Sequence, residues 1–305
     1  MNTQASLFFR RVELGASKIQ FPQDVVFLCG GPISDQKSSI SSLRDFINKE
    51  RDVILGPKKV LLAEKVATAF DSRLFDDLLE LETHIASISR LGLLVSESPG
   101  SIAELGAFSQ IPEIREILLV LVHSNHYQEN SFIKDGPIRY LLNRDEQSVQ
   151  EFDWQRTRAG NLDKKSAGKL AVPIKAAIDS FIGKLPRTKK FQEDRIGHKI
   201  LLVAGVVNLL RCSKLREITA AMLELGVRLE EKQLKQVLFC LELFGWVRII
   251  KRETSYYVYT GGSDPFLFRG KGTFADFDPV RVRFDILAAY EPSDARLSVL
   301  DSIGA

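Results

Sequence analysis

Val25-Val-Phe-Leu-Cys-Gly-Gly31 is an unbroken apolar run with a β-branched start that stops on two glycines. A strand buried on both faces reads this way, whereas a strand with one wet face alternates apolar and polar residues. Polar residues follow from Ser34 to Ser42, and then Leu43, Phe46 and Ile47 recur at helical spacing. The order is strand, glycine turn, helix. Working outward, Val53-Ile-Leu55, closed by Gly56-Pro57, predicts a second strand. Leu74 to Ser89 predicts a helix, with Leu74, Leu78, Leu81, Ile85 and Ile88 on one face. Leu91-Gly-Leu-Leu-Val95 predicts a third strand, and the Ser98-Pro-Gly-Ser101 turn leads into a helix from 102 to 110. Ile117 to Val122 predicts a fourth strand, Gln147 to Trp154 an edge strand, and Ala171 to Leu185 a closing helix. Strands alternating with helices give an α/β fold, a Rossmann-like parallel sheet with helices on both faces.

Pro186 to Lys190 reads as a linker, and the pattern changes beyond it. Ile196 to Leu210 is apolar and helical. Ser213 can cap a helix running to Leu225, with Glu217 too late for an ideal capping box. Glu230 to Phe244 is amphipathic and ends at Gly245. Trp246 to Lys251 and Ser255 to Thr260 form two short strands. Three helices followed by a hairpin outline a C-terminal winged-helix domain. The expected division is therefore 1–185 and 186–305, with the end of the second part an extended arm carrying one short helix near Phe284 to Tyr290.

Charge separates the same regions. Between 186 and 260 there are 14 Lys/Arg against 8 Asp/Glu, although the whole chain is only +3. This local excess suits a polyanionic partner, or else a solvated surface. Lys232 and Lys235 fall on the outer side of the third helix, where a winged helix reads a duplex, and Arg248, Lys251 and Arg252 on the hairpin suit backbone phosphates. Glu230 and Glu231 oppose phosphate at that helix start. The three cysteines lie far apart, so neither a disulfide framework nor a metal site is expected. No apolar run is long enough for a membrane, and the early residues lack the order of a signal peptide, so a cytoplasmic protein is expected.

Ligands of open parallel sheets bind beyond the carboxyl ends of the strands. Two segments meet that condition. Cys29-Gly30-Gly31 lacks side chains that would keep a phosphate or sugar from the backbone. The Ser98–Glu104 turn offers helix N-terminal amides to an anion, with Ser98 and Ser101 hydroxyls and the open Gly100 beside them. Glu104, one turn into the helix, projects to the same mouth, where a carboxylate can attack an anomeric carbon or stabilise an oxocarbenium ion. Each feature also has a plain structural reading: a tight turn for the glycines, a favourable helix dipole for the glutamate. No GxxxxGK[ST] or GxGxxG pattern is present, which excludes a P-loop and an ordinary dehydrogenase site. Asp76, Asp77 and Glu82 can orient a ribose or base, or be solvated helix residues. His123 and His126 make a poor metal motif. Arg139, near Gly136-Pro137, can bind phosphate or pair with a carboxylate.

Phe27-Leu-Cys-Gly-Gly31 together with Glu97-Ser-Pro-Gly-Ser-Ile-Ala-Glu-Leu-Gly-Ala-Phe-Ser109 resembles the nucleoside deoxyribosyltransferase-like family. More closely, the chain looks like the effector subunit of a bacterial retron antiphage system; Leu74-Phe-Asp-Asp-Leu-Leu79 and Phe132-Ile-Lys-Asp-Gly-Pro-Ile-Arg139 fit that group as well. The resemblance implies that Glu104 is the catalytic glutamate of the Glu-Leu-Gly motif. It implies that Glu82, where the family more often carries Asp, is the orienting acid. It further implies a toxic N-glycosidase acting on NAD or a related nucleotide as substrate, with no cofactor. The implied partners are a retron reverse transcriptase and its RNA–DNA hybrid (msDNA), which hold the toxin in check, within a homo-oligomer or filament. A different class of reading is a non-catalytic nucleotide sensor or DNA-binding regulator. A third makes the chain a scaffold for the reverse transcriptase.

Overall fold

Five parallel strands carry the first compact unit of this computed structural model, which describes residues 1–36, 39–125, 131–274, 277–291 and 294–303. They are β1 (Val25–Cys29), β2 (Lys59–Leu62), β3 (Leu91–Ser96), β4 (Leu118–His123) and β5 (Val149–Phe152). Their order across the sheet is β2-β1-β3-β4-β5, every pair parallel. Every residue of β1 and β3 is buried, which is why both read as continuous apolar runs. Val26, Leu28, Leu93, Val95, Leu119 and Leu121 pack into one core with Leu43, Phe46 and Ile47 of α1 (Leu43–Lys49) and with Ile174, Ile178 and Phe181 of the closing helix. The chain leaves β1 for β2 on one side and returns to β3 on the other. Connections thus diverge between β1 and β3, opening a crevice at their carboxyl ends.

Two expectations change here. Val53-Ile-Leu55 is not a strand: Arg51–Ile54 is a short helix with Ile54 buried, and the second strand is Lys59–Leu62. Three apolar residues in a row cannot by themselves distinguish a strand from the buried side of a helical turn. The closing helix is longer than expected, Lys164–Lys184, with Pro173 inside it. It starts where Asp163 accepts a hydrogen bond from the Ser166 amide at 2.7 Å.

The first unit comprises Asp24–Ala69 and Ile85–Pro186; the second comprises Met1–Gln23, Phe70–His84 and Arg187–Ala305. One border thus falls at 186/187, but residues 1–23 and 70–84 fold with the later chain, and a border runs inside the helix Leu78–Ser87. Thr188–Lys190, expected as linker, is a strand. It pairs antiparallel with Lys18–Gln20, whose other edge pairs with Phe266–Leu267. A strand of three polar residues is specified by its distant partner and has no local apolar signal. Helices Ile196–Leu210, Leu215–Glu224 and Glu231–Leu243 lie in this unit with a second antiparallel sheet, in which Ser255–Tyr259 is flanked by Cys212–Ser213 and Val247–Lys251. Lys214, not Ser213, is the N-cap of the middle helix; the Glu217 carboxylate then accepts from the Lys214 amide at 2.9 Å. The end of the chain is more ordered than an extended arm, with helices Pro279–Ala288 and Ala295–Ile303. Among the described residues no helix is long and apolar enough to cross a membrane.

Candidate active site

The carboxyl ends of β1 and β3 meet through one buried side chain. Glu97 follows β3 directly, and its carboxylate accepts hydrogen bonds from the backbone amides of Gly31 (3.3 Å), Leu43 (2.9 Å) and Arg44 (3.0 Å). Arg156, beyond β5, approaches the same carboxylate at 3.5 Å, and only 2% of the Glu97 side chain is exposed. Leu43 and Arg44 open α1, so Glu97 fills the anion position at that helix N-terminus. The glycines answer to the same packing. Gly30 has φ +150°, and a Cβ there would sit 3.0 Å from Arg44 carbons; a Cβ on Gly31 would sit 2.8 Å from Ser42 Cβ and 2.9 Å from a Glu97 oxygen. The space left by their missing side chains is occupied by Arg44, Ser42 and Glu97. Cys29 is buried within β1, so it offers a ligand no side chain.

Across the crevice, Ser98 caps α2 (Pro99–Gln110). The Ser98 hydroxyl accepts from the Ser101 amide at 3.2 Å, and the Ser101 hydroxyl accepts from the Ser98 and Glu97 amides at 2.9 and 3.0 Å. This reciprocal box satisfies the amides of Glu97, Ser98 and Ser101 and commits the buried Ser101 to its own turn. Gly100 is exposed, with open space where a Cβ would be.

Glu104 stands one turn further along α2, and its Oε2 is buried with no hydrogen-bond partner. Burial pushes its carboxyl above the ordinary range; Arg44 opposes that rise and Glu64 reinforces it. Arg44 is itself buried. Its guanidinium is gripped bidentately by Glu64, in the first turn of the helix Ala63–Ala69 after β2, and also donates to the Gly31 carbonyl at 3.2 Å. The Arg44 Nε is buried and unpartnered. Glu104 is thus a carboxylate without a hydrogen-bond donor at its buried oxygen, within electrostatic reach of Arg44 and Glu64. Buried polar atoms are almost always paired, and an orphaned acid beside a cation is a common mark of a reactive site.

The other anticipated residues have surroundings of their own. Glu82 is buried and belongs to the second unit. Asp76, in that unit too, is highly exposed and accepts from Lys232 Nζ at 2.7 Å. The two residues, expected to serve a nucleotide and a nucleic acid, neutralise each other. Lys235 pairs with Glu231 one turn earlier. Arg248, Lys251 and Arg252 are exposed on the Val247–Lys251 and Ser255–Tyr259 hairpin. Arg139 pairs with Asp135 at 3.2 Å and, with Gly106, Phe132 and Tyr140, lines a groove of about 510 Å³. The His123 ring nitrogen lies 2.8 Å from the Trp154 carbonyl; His126 lies outside the described residues. Among the described residues no group of His, Cys, Asp and Glu is arranged to hold a metal ion.

Arg44, Glu64 and Glu97 were not anticipated. One signal for Arg44 was available: a cation in the first turn of a helix opposes the macrodipole and needs a separate reason to be there. Glu97, directly after a buried strand and before a capping serine, carried a weaker one.

Comparison with known proteins gives concordant findings. The sequence pattern of the family described as "STM3845 retron effector protein" matches residues 40–249. The chain is 33% identical over 124 residues, 41% of its own length and 39% of the relative's, to the "Retron Ec86 putative ribosyltransferase/DNA-binding protein" of Escherichia coli. It is 26% identical over 212 residues, 63% of its own length and 66% of the relative's, to the "Retron Ec73 putative ribosyltransferase/DNA-binding protein" of the same organism. The similarity thus spans less than two thirds of either relative.

Proposed function

The chain belongs to the STM3845 retron effector family, and we propose that it is a glycosyl-transfer enzyme that cleaves the N-glycosidic bond of NAD or a related nucleotide through Glu104. The observation that carries this reading is the Glu104 Oε2, buried and unpartnered one turn into the helix that follows β3. The names of both relatives, which include ribosyltransferase, support it. In this mechanism the carboxylate attacks the anomeric carbon, a C–O bond forms, and the C–N bond breaks with its electron pair leaving on the base. Water or a second acceptor then attacks the glycosyl ester and regenerates the carboxylate. Alternatively the same charge stabilises an oxocarbenium ion while water attacks. The Gly30–Gly31 and Ser98–Ser101 turns border the pocket for the sugar, and Gly100 leaves the approach to it open.

The remaining assignments extend the same reading. The three helices and hairpin between 196 and 259 form a winged helix. Its nucleic-acid face is led by Arg248, Lys251 and Arg252, while Lys232 and Lys235 exchange carboxylate partners for phosphates. The reverse transcriptase and its RNA–DNA hybrid restrain the enzyme in the cytoplasm, in an oligomeric assembly. The test is release of free base from NAD or nucleosides by the purified protein, and loss of that release in Glu104→Gln.

A further inference from the structure

Phe70–His84 folds with the second unit, and its first part is acidic. From Phe70 to Glu80 it carries Asp71, Asp76, Asp77 and Glu80 against Arg73 alone, and Arg73 is paired with Asp71 at 2.6 Å. This stretch lies along one face of the Glu231–Leu243 helix. Lys232, Gln236 and Phe239 recur there at helical spacing and form a single stripe. Each of the three meets the stretch. Lys232 Nζ donates to the Asp76 carboxylate at 2.7 Å. Gln236 Nε2 donates to the Leu74 carbonyl at 2.7 Å and to the Glu80 carboxylate at 3.0 Å. The Phe239 ring centroid lies 5.6 Å from that of Phe75, which is fully buried. A glutamine on the outer side of a surface helix is ordinarily wet, yet Gln236 is only 4% exposed. The stretch also holds its own shape: the Glu80 carboxylate accepts from the Asp76 amide at 2.9 Å, and Asp77 accepts from the Glu80 amide at 2.8 Å.

In a winged helix the first turns of this helix enter the major groove, where their polar side chains meet base edges and phosphates. Here two carboxylates and a backbone carbonyl already engage those side chains. We propose that Leu74–Glu80 is an autoinhibitory strap: it covers the duplex-reading face of the Glu231–Leu243 helix with acceptors of its own, and nucleic acid engages that face only by displacing it. The inference rests on the reading of the second unit as a nucleic-acid-binding winged helix. Phe75 anchors the strap by apolar contact. Asp76 is its exchangeable end, because its side chain is 81% exposed and that of Lys232 49%, and an exposed ion pair is weak enough to trade one anion for another. Arg248, Lys251 and Arg252 are exposed on the hairpin, outside the strap's contacts. A polyanion therefore meets the hairpin first, and Lys232 joins once Asp76 gives way.

The test measures binding of a fluorescent duplex DNA of mixed sequence to the full chain by anisotropy, for the parent, Asp76→Asn, Lys232→Gln and the double variant. Asp76→Asn is expected to tighten binding by roughly two- to fivefold and to steepen its dependence on salt. Lys232→Gln is expected to weaken binding more in the Asp76→Asn background than in the parent. That non-additivity is the signature, because loss of a carboxylate that merely lowers the negative charge of the surface acts whether or not Lys232 is present. Hydrogen exchange supplies a second readout: bound duplex is expected to speed exchange of the amides from 74 to 80. Equal losses from Lys232→Gln in both backgrounds, or binding with no faster exchange in that segment, overturn the strap and leave nucleic-acid binding standing. Absence of binding by all four folded proteins overturns the nucleic-acid reading itself, and the strap with it.

Discussion

A carboxylate oxygen buried without a donor works against folding, and Glu104 offers a measurable case. Burial raises its affinity for a proton, so the folded state binds protons more tightly than the unfolded chain. The stability cost is absent below the unfolded carboxylate range and appears as pH rises through it. Glu104→Gln removes the charge at nearly constant volume. It is expected to melt at a higher temperature than the parent at pH 7, with the difference vanishing near pH 4. A variant equally or less stable at pH 7 would show that Glu104 is held by partners and not poised. Residue-scale reading of the sequence placed Glu104 one turn into a helix beyond a strand end, a position that local periodicity sets. It did not reach Arg44, Glu64 or Glu97. Their charges mark ordinary helix and loop positions in one dimension, and only the β2-β1-β3 order brings them to one place.

At the scale of elements, Glu97 ties the turn after β1, the start of α1 and the end of β3 together. Removing its carboxylate leaves three backbone amides short of an acceptor, at about 1–3 kcal/mol for each group that stays buried. Glu97→Ala is therefore expected to lose roughly 3 kcal/mol or more of stability in urea unfolding. A loss below about 0.5 kcal/mol, the size of an ordinary surface change, would mean that water replaces the carboxylate without cost. Strands with both faces buried were legible at this scale: β3 and β4 begin and end within one residue of the expected runs, and β1 stops at Cys29, before the two glycines. The edge strand β2 was not, since only one of its four residues is fully buried. A half-covered edge strand carries less apolar signal than the short helix before it.

Over the whole molecule, chain order and compact units do not coincide. Lys18–Gln20 is the middle strand between Thr188–Lys190 and Phe266–Leu267, so a fragment beginning at 186 lacks the strand that joins its two edges. Fragment 186–305 is expected to unfold with less cooperativity than the intact chain, and addition of a 1–23 peptide to restore part of it. Unchanged calorimetric unfolding of the fragment would show that this sheet adds nothing to the unit. Composition shifts and a proline do not show this return of the first residues. Pairing between positions some 170 apart leaves no periodic trace.

Base release tests the proposed reaction at Glu104 most directly. The purified protein is incubated with NAD and with nucleosides while free base is followed chromatographically. Base is expected to appear with the wild-type chain and to fall by roughly 10³-fold or more in a folded Glu104→Gln variant. Nucleotide binding without base from the wild-type chain, or undiminished release by the variant, would contradict the account.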